Sequence, residues 1–325
     1  MMRLSTPGNS RFAQASSLNI IYGGGEANMS VSLAQLGVAS KHVTVFPKND
    51  IGKAATSFFT KYGVDMSVVY EGDRLGLYFL ETGAGARSSR IVYDRYNSAF
   101  ANLDPAWFNW ETIFRETSWF LFTGITPAVS APAAEALLQA LQTARSLGVK
   151  VLGDVNYRRN LWKYGKTVQE IMPQYMPYID VAICSENDAE DILNIRPAAN
   201  TENTFVSMAQ QLQERYPNIK TVVTTRRTSI SASQNTLQGI GYSNGQYFGT
   251  PVLTIDNIVD RIGSGDAFAA GLIYGLINYQ DEAKALNFGN AAAVIKHTIE
   301  GDANLATVQE IETVMNGDTS GKLLR

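Results

Sequence analysis

The chain is short of cysteine, histidine and charge, and each shortage closes off a class of function. Its 325 residues include one cysteine and two histidines. Cys184, at the end of the apolar run from Ile179, offers neither a disulfide framework nor a thiolate zinc site, and reads as buried packing in a reducing compartment. His42 and His297 each stand alone, so no histidine metal site is written in the chain. Lys and Arg number 27 against 30 Asp and Glu, a net charge of -3 with no electropositive footprint for nucleic acid or an acidic membrane. No run approaches the roughly 18 apolar residues of a membrane span. The longest candidate, Ala267 to Ile277, is broken by Gly271 and Gly275. The opening Met1-Met2-Arg3-Leu4-Ser5-Thr6-Pro7-Gly8 lacks the apolar core of a signal peptide. The expectation is a cytoplasmic protein with a small-molecule ligand, and with neither nucleic acid nor membrane as a partner.

Two phosphate-binding motifs are also missing. No G-x-x-x-x-G-K-[ST] occurs, since Gly321-Lys322 is followed by Leu323. No G-x-G-x-x-G opens an early strand-helix unit, because Gly23-Gly24-Gly25 continues as Glu26-Ala27-Asn28.

What is present is a regular alternation. At about 150 residues per domain, the length suits one large α/β domain or two unequal ones. Ser118 to Thr123, Val149 to Val155, Ile179 to Cys184 and Lys220 to Thr225 are short apolar runs. Ala131 to Leu147 and Phe205 to Arg215 carry helical periodicity between them, with Arg196 to Asn203 as a polar connector. Strand-helix-strand repeats with strands this apolar predict a mostly parallel sheet covered on both faces, a three-layer α/β/α core. Two segments break the pattern, Arg11 to Tyr22 and Leu75 to Arg95. In the second, Leu75 to Glu81 and Arg90 to Arg95 flank a Gly83-to-Ser89 turn, which is hairpin chemistry inserted after the helix Gly52 to Tyr62. A small β-sheet lid made by residues 1–22 and 72–95, over a core of 23–71 and 96–325, is the expected arrangement.

The most informative stretch is Asp260-Arg-Ile-Gly263-Ser264-Gly265-Asp266, which follows the strand-like Val252 to Ile255 and opens an apolar helix. Glycines at a helix start let backbone N–H groups converge into an anion hole. Asp266, in the first turn, is either the base for an attacking hydroxyl or a plain helix cap, and the stretch alone leaves both open. A second glycine run, Tyr22 to Gly25, leads into a helix carrying Asn28, where exposed backbone and the Asn28 amide are suited to sugar hydroxyls.

Gly-Gly-x-Glu-Ala-Asn before a helix, Asn187-x-x-Glu190 in the middle and Gly-Ser-Gly-Asp near the end occur here in the order found in ribokinase-like carbohydrate kinases, the phosphofructokinase-B family. Within it, the chain most resembles 2-keto-3-deoxygluconate kinases. That likeness is carried by Gly76-Leu-Tyr78, Tyr93-Asp-Arg95, Phe122-Thr-Gly-Ile-Thr-Pro127, Asp154-Val-Asn-Tyr-Arg158, Ser185-Glu-Asn-Asp-Ala-Glu190 and Gly301-Asp302. The resemblance implies a three-layer core with a β-lid. It implies transfer of phosphate from ATP, with Mg²⁺, to the terminal hydroxyl of a sugar acid. Gly24, Asn28, Tyr78, Tyr93, Arg95, Arg158 and Asp302 would contact that acid. An arginine fork is the natural partner of its planar carboxylate. Asp266 would be the base, beside an anion hole of Gly263, Ser264 and Gly265. Asn187 and Glu190 would organise magnesium through water, and Thr225 with Arg226 or Arg227 would lie against the nucleotide. A dimer or higher oligomer is expected from an exposed lid sheet.

Three departures stand out. The turn expected after Lys220 to Thr225 reads Thr225-Arg-Arg-Thr-Ser229, with no glycine. Family members begin with a strand ending in Gly-Glu just before the equivalent of Met2, so either leading residues are absent here or the sheet has lost an edge. The Gly301-Asp-Ala-Asn-Leu305 wording is atypical and weakens assignments after Asp302. Fructose, ribose and nucleoside kinases of the same fold, and a non-catalytic sugar-acid sensor, are the alternatives.

Overall fold

The computed structural model describes residues 1–322. Its first part comprises β1 (Met2–Ser5), β2 (Asn19–Tyr22), α1 (Gly25–Gln35), β3 (Lys41–Phe46), α2 (Asp50–Lys61), β4 (Asp65–Tyr70), β5 (Leu77–Glu81) and β6 (Arg90–Asp94). The alternating part follows with α3 (Trp110–Ile113), β7 (Trp119–Thr123), α4 (Ile125–Val129), α5 (Ala131–Ser146), β8 (Lys150–Asp154), α6 (Val168–Tyr175), β9 (Val181–Ile183), α7 (Glu186–Leu193) and α8 (Thr204–Arg215). The chain ends with β10 (Thr221–Ser229), β11 (Asn235–Ser243), β12 (Gln246–Gly249), β13 (Leu253–Ile255), α9 (Ser264–Asn278), α10 (Glu282–Lys296) and α11 (Val308–Met315).

The main sheet has seven strands, in the order β12-β11-β10-β9-β8-β7 with β13 beside β11. Its strand residues alternate between two cores, as a period of two requires. Val151 of β8 and Val222 of β10 pack with Leu141, Met172 and Phe205 from α5, α6 and α8. Their neighbours Leu152 and Val223 pack with Met29, Phe268 and Leu286 from α1, α9 and α10. Helices therefore cover both faces, giving three α/β/α layers and explaining why these strands are apolar throughout. Cys184 is fully buried in the first of these cores.

Within the main sheet, β7 to β10 are the mutually parallel strands. β11, β12 and β13 are antiparallel to their neighbours because their connections are too short for a crossover. The Asn244-Gly245 turn between β11 and β12 has φ of 50 and 77, a primed hairpin turn. The segment Thr225 to Ser229 is not a turn. β10 runs on through it, paired residue for residue with Asn235 to Gly239, so a glycine there has no conformational task. Two boundaries also differ from expectation. The second helix starts at Asp50, capped by Asn49, and β9 is only Val181–Ile183.

A second sheet has the order β2-β1-β5-β6, with the β5–β6 hairpin setting Tyr78 opposite Tyr93. β3 and β4 form a separate two-stranded parallel ribbon. Among the described residues, no helix is long and apolar enough to cross a membrane.

Candidate active site

Two helices begin differently from most others. Asn49, Ser130, Ser185, Asn203, Asp281 and Thr307 each accept a first-turn N–H of the helix they start. α1 and α9 instead start on Gly24 and Gly263, with no side-chain cap, leaving their first-turn N–H groups open to an anion. Glycine is required at both positions. Gly24 has φ +145 and Gly263 φ +81, and a Cβ on Gly263 would overlap the Asp302 carbonyl oxygen.

The two helix starts are joined by Asn28 and Asp266. Asn28, buried on α1, donates from Nδ2 to the Asp266 carboxylate at 2.7 Å, and accepts from the Gly24 N–H at 3.3 Å. Both ends of its amide are thus committed to holding the base candidate and the glycine loop. Loss of water pushes the Asp266 carboxyl up to about 7, with Glu26 and Asp302 adding to the effect and Asn28 and Arg158 opposing it. Asp154, at the C-terminal end of β8, is also raised to about 7, by burial and then by Asp266 itself. Its Oδ2 accepts from Asn156 at 3.0 Å. Glu26 closes the floor. One of its oxygens accepts from the Thr123 N–H, the Thr123 hydroxyl and the Thr126 hydroxyl at 2.9, 2.9 and 2.7 Å.

On the second-sheet side, Tyr78 is buried and its hydroxyl donates to Asp302, while Tyr93 lies 6.2 Å away, centroid to centroid. Arg95 stacks on Tyr93 at 4.4 Å, and its buried Nε has no partner. Burial lowers its pKa. Asp302 is also held by Arg3 Nη1, at 2.9 Å, and the same nitrogen donates to Asp260 at 2.6 Å. Asp260 in turn accepts from the N–H groups of Ile262 and Gly301 at 3.0 and 3.1 Å. Arg3 therefore ties β1 to the loop that enters α9. Arg158 is exposed beyond Asn156, and its charge opposes the rise at both Asp266 and Asp154.

The opposite side is looser. Asn187 is exposed on α7, and Glu190 pairs with Arg196 at 2.9 Å. Arg226 pairs with Glu186 at 3.1 Å. Arg227, on the other face of β10, donates to the Ser264 hydroxyl at 3.0 Å. It is held below the usual arginine range by desolvation and then by the nearby cations Arg261 and Arg158. Thr225 lies within the β10–β11 pairing, opposite Gly239. No group of three His, Cys, Asp or Glu able to hold a metal gathers among the described residues.

Gly24, Asn28, Asp266 and the Gly263–Gly265 turn thus converge, as do Tyr78, Tyr93, Arg95 and Asp302. Asn187 and Glu190 face solvent. Four residues that the sequence reading left without a role complete the site: Arg3, Glu26, Asp154 and Asp260. A carboxylate ending a parallel strand was a usable signal for Asp154, because ligands of open α/β sheets sit there.

A family model described as pfkB family carbohydrate kinase matches residues 4–308. A 2-dehydro-3-deoxygalactonokinase of Haloferax volcanii is 30% identical over 322 residues, covering 99% of this chain and 96% of its own. The crystal structure of a 2-dehydro-3-deoxygluconokinase from Thermotoga maritima superposes with a TM-score of 0.93 at 40% identity, covering 98% of this chain and 96% of that one. A putative 2-keto-3-deoxygluconate kinase from Enterococcus faecalis gives 0.92 at 27% identity, with 100% and 96% covered. With its open glycine-capped helix, its central carboxylate and this similarity along nearly its whole length, the chain belongs to the pfkB family of carbohydrate kinases.

Proposed function

We propose that the chain transfers the γ-phosphoryl group of ATP to the terminal C6 hydroxyl of 2-keto-3-deoxygluconate, giving the 6-phosphate and ADP. The observation that carries this reading is the Asp266 carboxylate, raised to about 7 and oriented by Asn28 beside the uncapped start of α9. The acceptor oxygen bonds to the γ-phosphorus as the bond to the β–γ bridging oxygen breaks, and the hydroxyl proton passes to Asp266. The open N–H groups after Gly263 stabilise charge on the transferring oxygens, with Arg227 adding a cation at Ser264. Arg95, with its unpartnered Nε, and Arg158 take the substrate carboxylate. Gly24 and Tyr93 line the sugar. Asn28 and the Tyr78–Asp302 pair fix the walls around it.

The donors on the nucleotide side are all oxygens and form no closed cage, which suits magnesium held through water. Asn187 and Glu190 would hold it on α7, and it would supply positive charge to the phosphates there. Thr225 and Arg226 border the nucleotide. Residues 1–22 and 72–95 act as a lid over the core of 23–71 and 96–325. The lid's exposed Ile20, Ile91 and Val92 favour pairing with a second copy, a matter for light scattering.

The test is ADP release by the purified protein with a panel of sugar acids and neutral sugars. Turnover of the keto-deoxy acids and not of fructose, ribose or nucleosides supports the proposal. No ADP release with any of them would favour a sugar-acid sensor. The Haloferax volcanii relative favours a second reading, the galactonate-derived epimer, which the same panel separates.

A further inference from the structure

Thr225 to Ser229 continues β10 instead of turning, and that extension gives the β10–β11 hairpin its reach. Beyond its last paired residues, Ser229 and Asn235, the turn Ile230 to Gln234 touches two other parts of the chain. One is the segment between β13 and α9. The Ser233 carbonyl accepts from the Ile258 N–H at 3.0 Å, Gln234 Nε2 donates to Asp256 at 2.7 Å, and Arg261 Nη2 donates to the Ala232 carbonyl at 3.2 Å. The other is the tip of the β5–β6 hairpin. The Ala232 N–H donates to the Gly85 carbonyl at 2.8 Å, and the Gly85 N–H donates to the Ser233 hydroxyl at 3.2 Å. The hairpin that brings Tyr78 and Tyr93 to the candidate sugar site is thus anchored, at its far end, to the hairpin that carries Arg227.

Cations gather where this anchor meets α9. Arg227 donates to the Ser264 hydroxyl at 3.0 Å, and Arg261 stands just before the Gly263 turn, so the hydrogen bonds of both go to neutral oxygens rather than to a carboxylate. Loss of water, then Arg261 and Arg158, hold Arg227 below the usual arginine range. Like charges collected at an uncapped helix start repel one another until an anion comes between them. A polyphosphate matches both the charge and the guanidinium geometry. A guanidinium has five N–H donors, so Arg261 can meet a phosphate and keep the Ala232 carbonyl.

We propose that the β10–β11 turn is a latch between the two substrates: the triphosphate of the nucleotide, taken by Arg227 and Arg261, fixes Ala232 and Ser233 as the seat on which Gly85 of the lid closes. The latch rests on the kinase reading above, in which the phosphates lie at the start of α9 and the second sheet is the lid. Arg261 is then a phosphate ligand, and Ser233 a positioning residue that touches neither substrate. The tip is held by the two hydrogen bonds at Gly85, one of them exposed, few enough to part when product leaves. Coupling between two ligands is reciprocal, so a lid ordered by the sugar acid raises nucleotide affinity by the factor with which nucleotide raises affinity for the acid.

The test uses the full chain, the magnesium complex of the β,γ-imido analogue of ATP, and 2-keto-3-deoxygluconate. The analogue alone, at saturation, should slow hydrogen exchange of the Gly85 and Ala232 amides at least about threefold. In Arg261→Met, brought to saturation by calorimetric titration, the same two amides should exchange as they do without ligand. The dissociation constant of the analogue should fall at least about fivefold when the keto acid is present. Ser233→Ala should cut that factor by about half or more, and Ser233→Thr, which keeps the hydroxyl, should restore it. If Ser233→Ala lowers only the melting temperature and leaves the factor unchanged, the proposal is overturned. Unchanged exchange at both amides in wild type that has bound the analogue would also overturn it, with the kinase reading left standing. Wild type that binds no analogue would remove both.

Discussion

The two sides of the candidate active site are built to different tolerances. On the proposed sugar side, two mostly buried sets of contacts, Asn28 with Asp266 and Arg3 with Asp260, Asp302 and Tyr78, are closed by side chains from five separate parts of the chain. On the nucleotide side, Glu190, Arg226 and Asn187 are exposed, and the first two are paired only with surface partners. A buried network is costly to leave half-satisfied, so it holds its geometry without ligand. Exposed pairs contribute little and can exchange partners when phosphate and metal arrive. On the proposed function, the difference means that the acceptor would be positioned in advance, while the donor would complete its own site.

The sharpest way to break that contrast is at Asp266. Asn keeps the shape and the contact with Asn28 but cannot take a proton. Asp266→Asn should lower kcat by about 10² to 10⁴ with little change in melting temperature. The raised pKa gives a further signature. With the base competent only when ionised, kcat/KM should fall about tenfold per unit as pH drops below about 7, and Asp266→Asn should lack that limb. A kcat within a few-fold of wild type would reduce Asp266 to a structural partner of Asn28. The same shifts bear on stability. Asp266 and Asp154 bind protons more tightly folded than unfolded, so their contribution is complete below about 4 and is lost as pH rises through about 7. Asp154→Asn should therefore flatten the decline in melting temperature between those values.

Next in size is Arg3. Arg3→Met leaves Asp260 and Asp302 buried without their cation, a change of the kind that costs about 3 to 5 kcal/mol. It should lower the melting temperature by about 10 °C and raise the KM for the keto acid more than that for ATP. Arg3→Lys should recover part of both effects. If only stability moves, Arg3 is structural and the coupling through Asp302 is absent. Arg95→Ala and Arg158→Ala come third. Each removes one charge-assisted contact worth about 1.5 to 3 kcal/mol and should raise the KM for the keto acid about 10- to 100-fold, leaving that for ATP nearly unchanged. An unchanged KM in both variants would favour a neutral sugar.

The same two-sided contrast governs how much could be read in advance. The strand-helix alternation, the Gly-Gly loop and the Gly-Ser-Gly-Asp helix start were legible because each is local: a periodicity of two or 3.6, or a glycine needed at one φ. Arg3 and Asp260 were not, since they are 257 positions apart and meet only through β1 and the turn into α9. Thr225 to Ser229 was misread for a related reason. Two arginines and a serine look like a loop until β11 pairs with them across nine residues. Asn28 is recognisable in its motif, yet which partners claim its amide depends on α9, more than two hundred residues later.

The smallest expected effect lies at Glu190 and sharpens the comparison from its loose side. Its pair with Arg196, at 2.9 Å, has side chains 46% and 71% exposed, so the pair contributes well under about 1 kcal/mol to the fold. Glu190→Gln should therefore melt within a degree or two of wild type. It keeps one oxygen and the reach of the side chain but removes the charge that favours a hydrated cation. The expected result is a several-fold rise in the Mg²⁺ concentration giving half-maximal rate, with the KM for the keto acid unmoved. A drop of several degrees in melting temperature with unchanged magnesium dependence would show that α7 belongs to the rigid part of the site, and that the two sides are equally rigid.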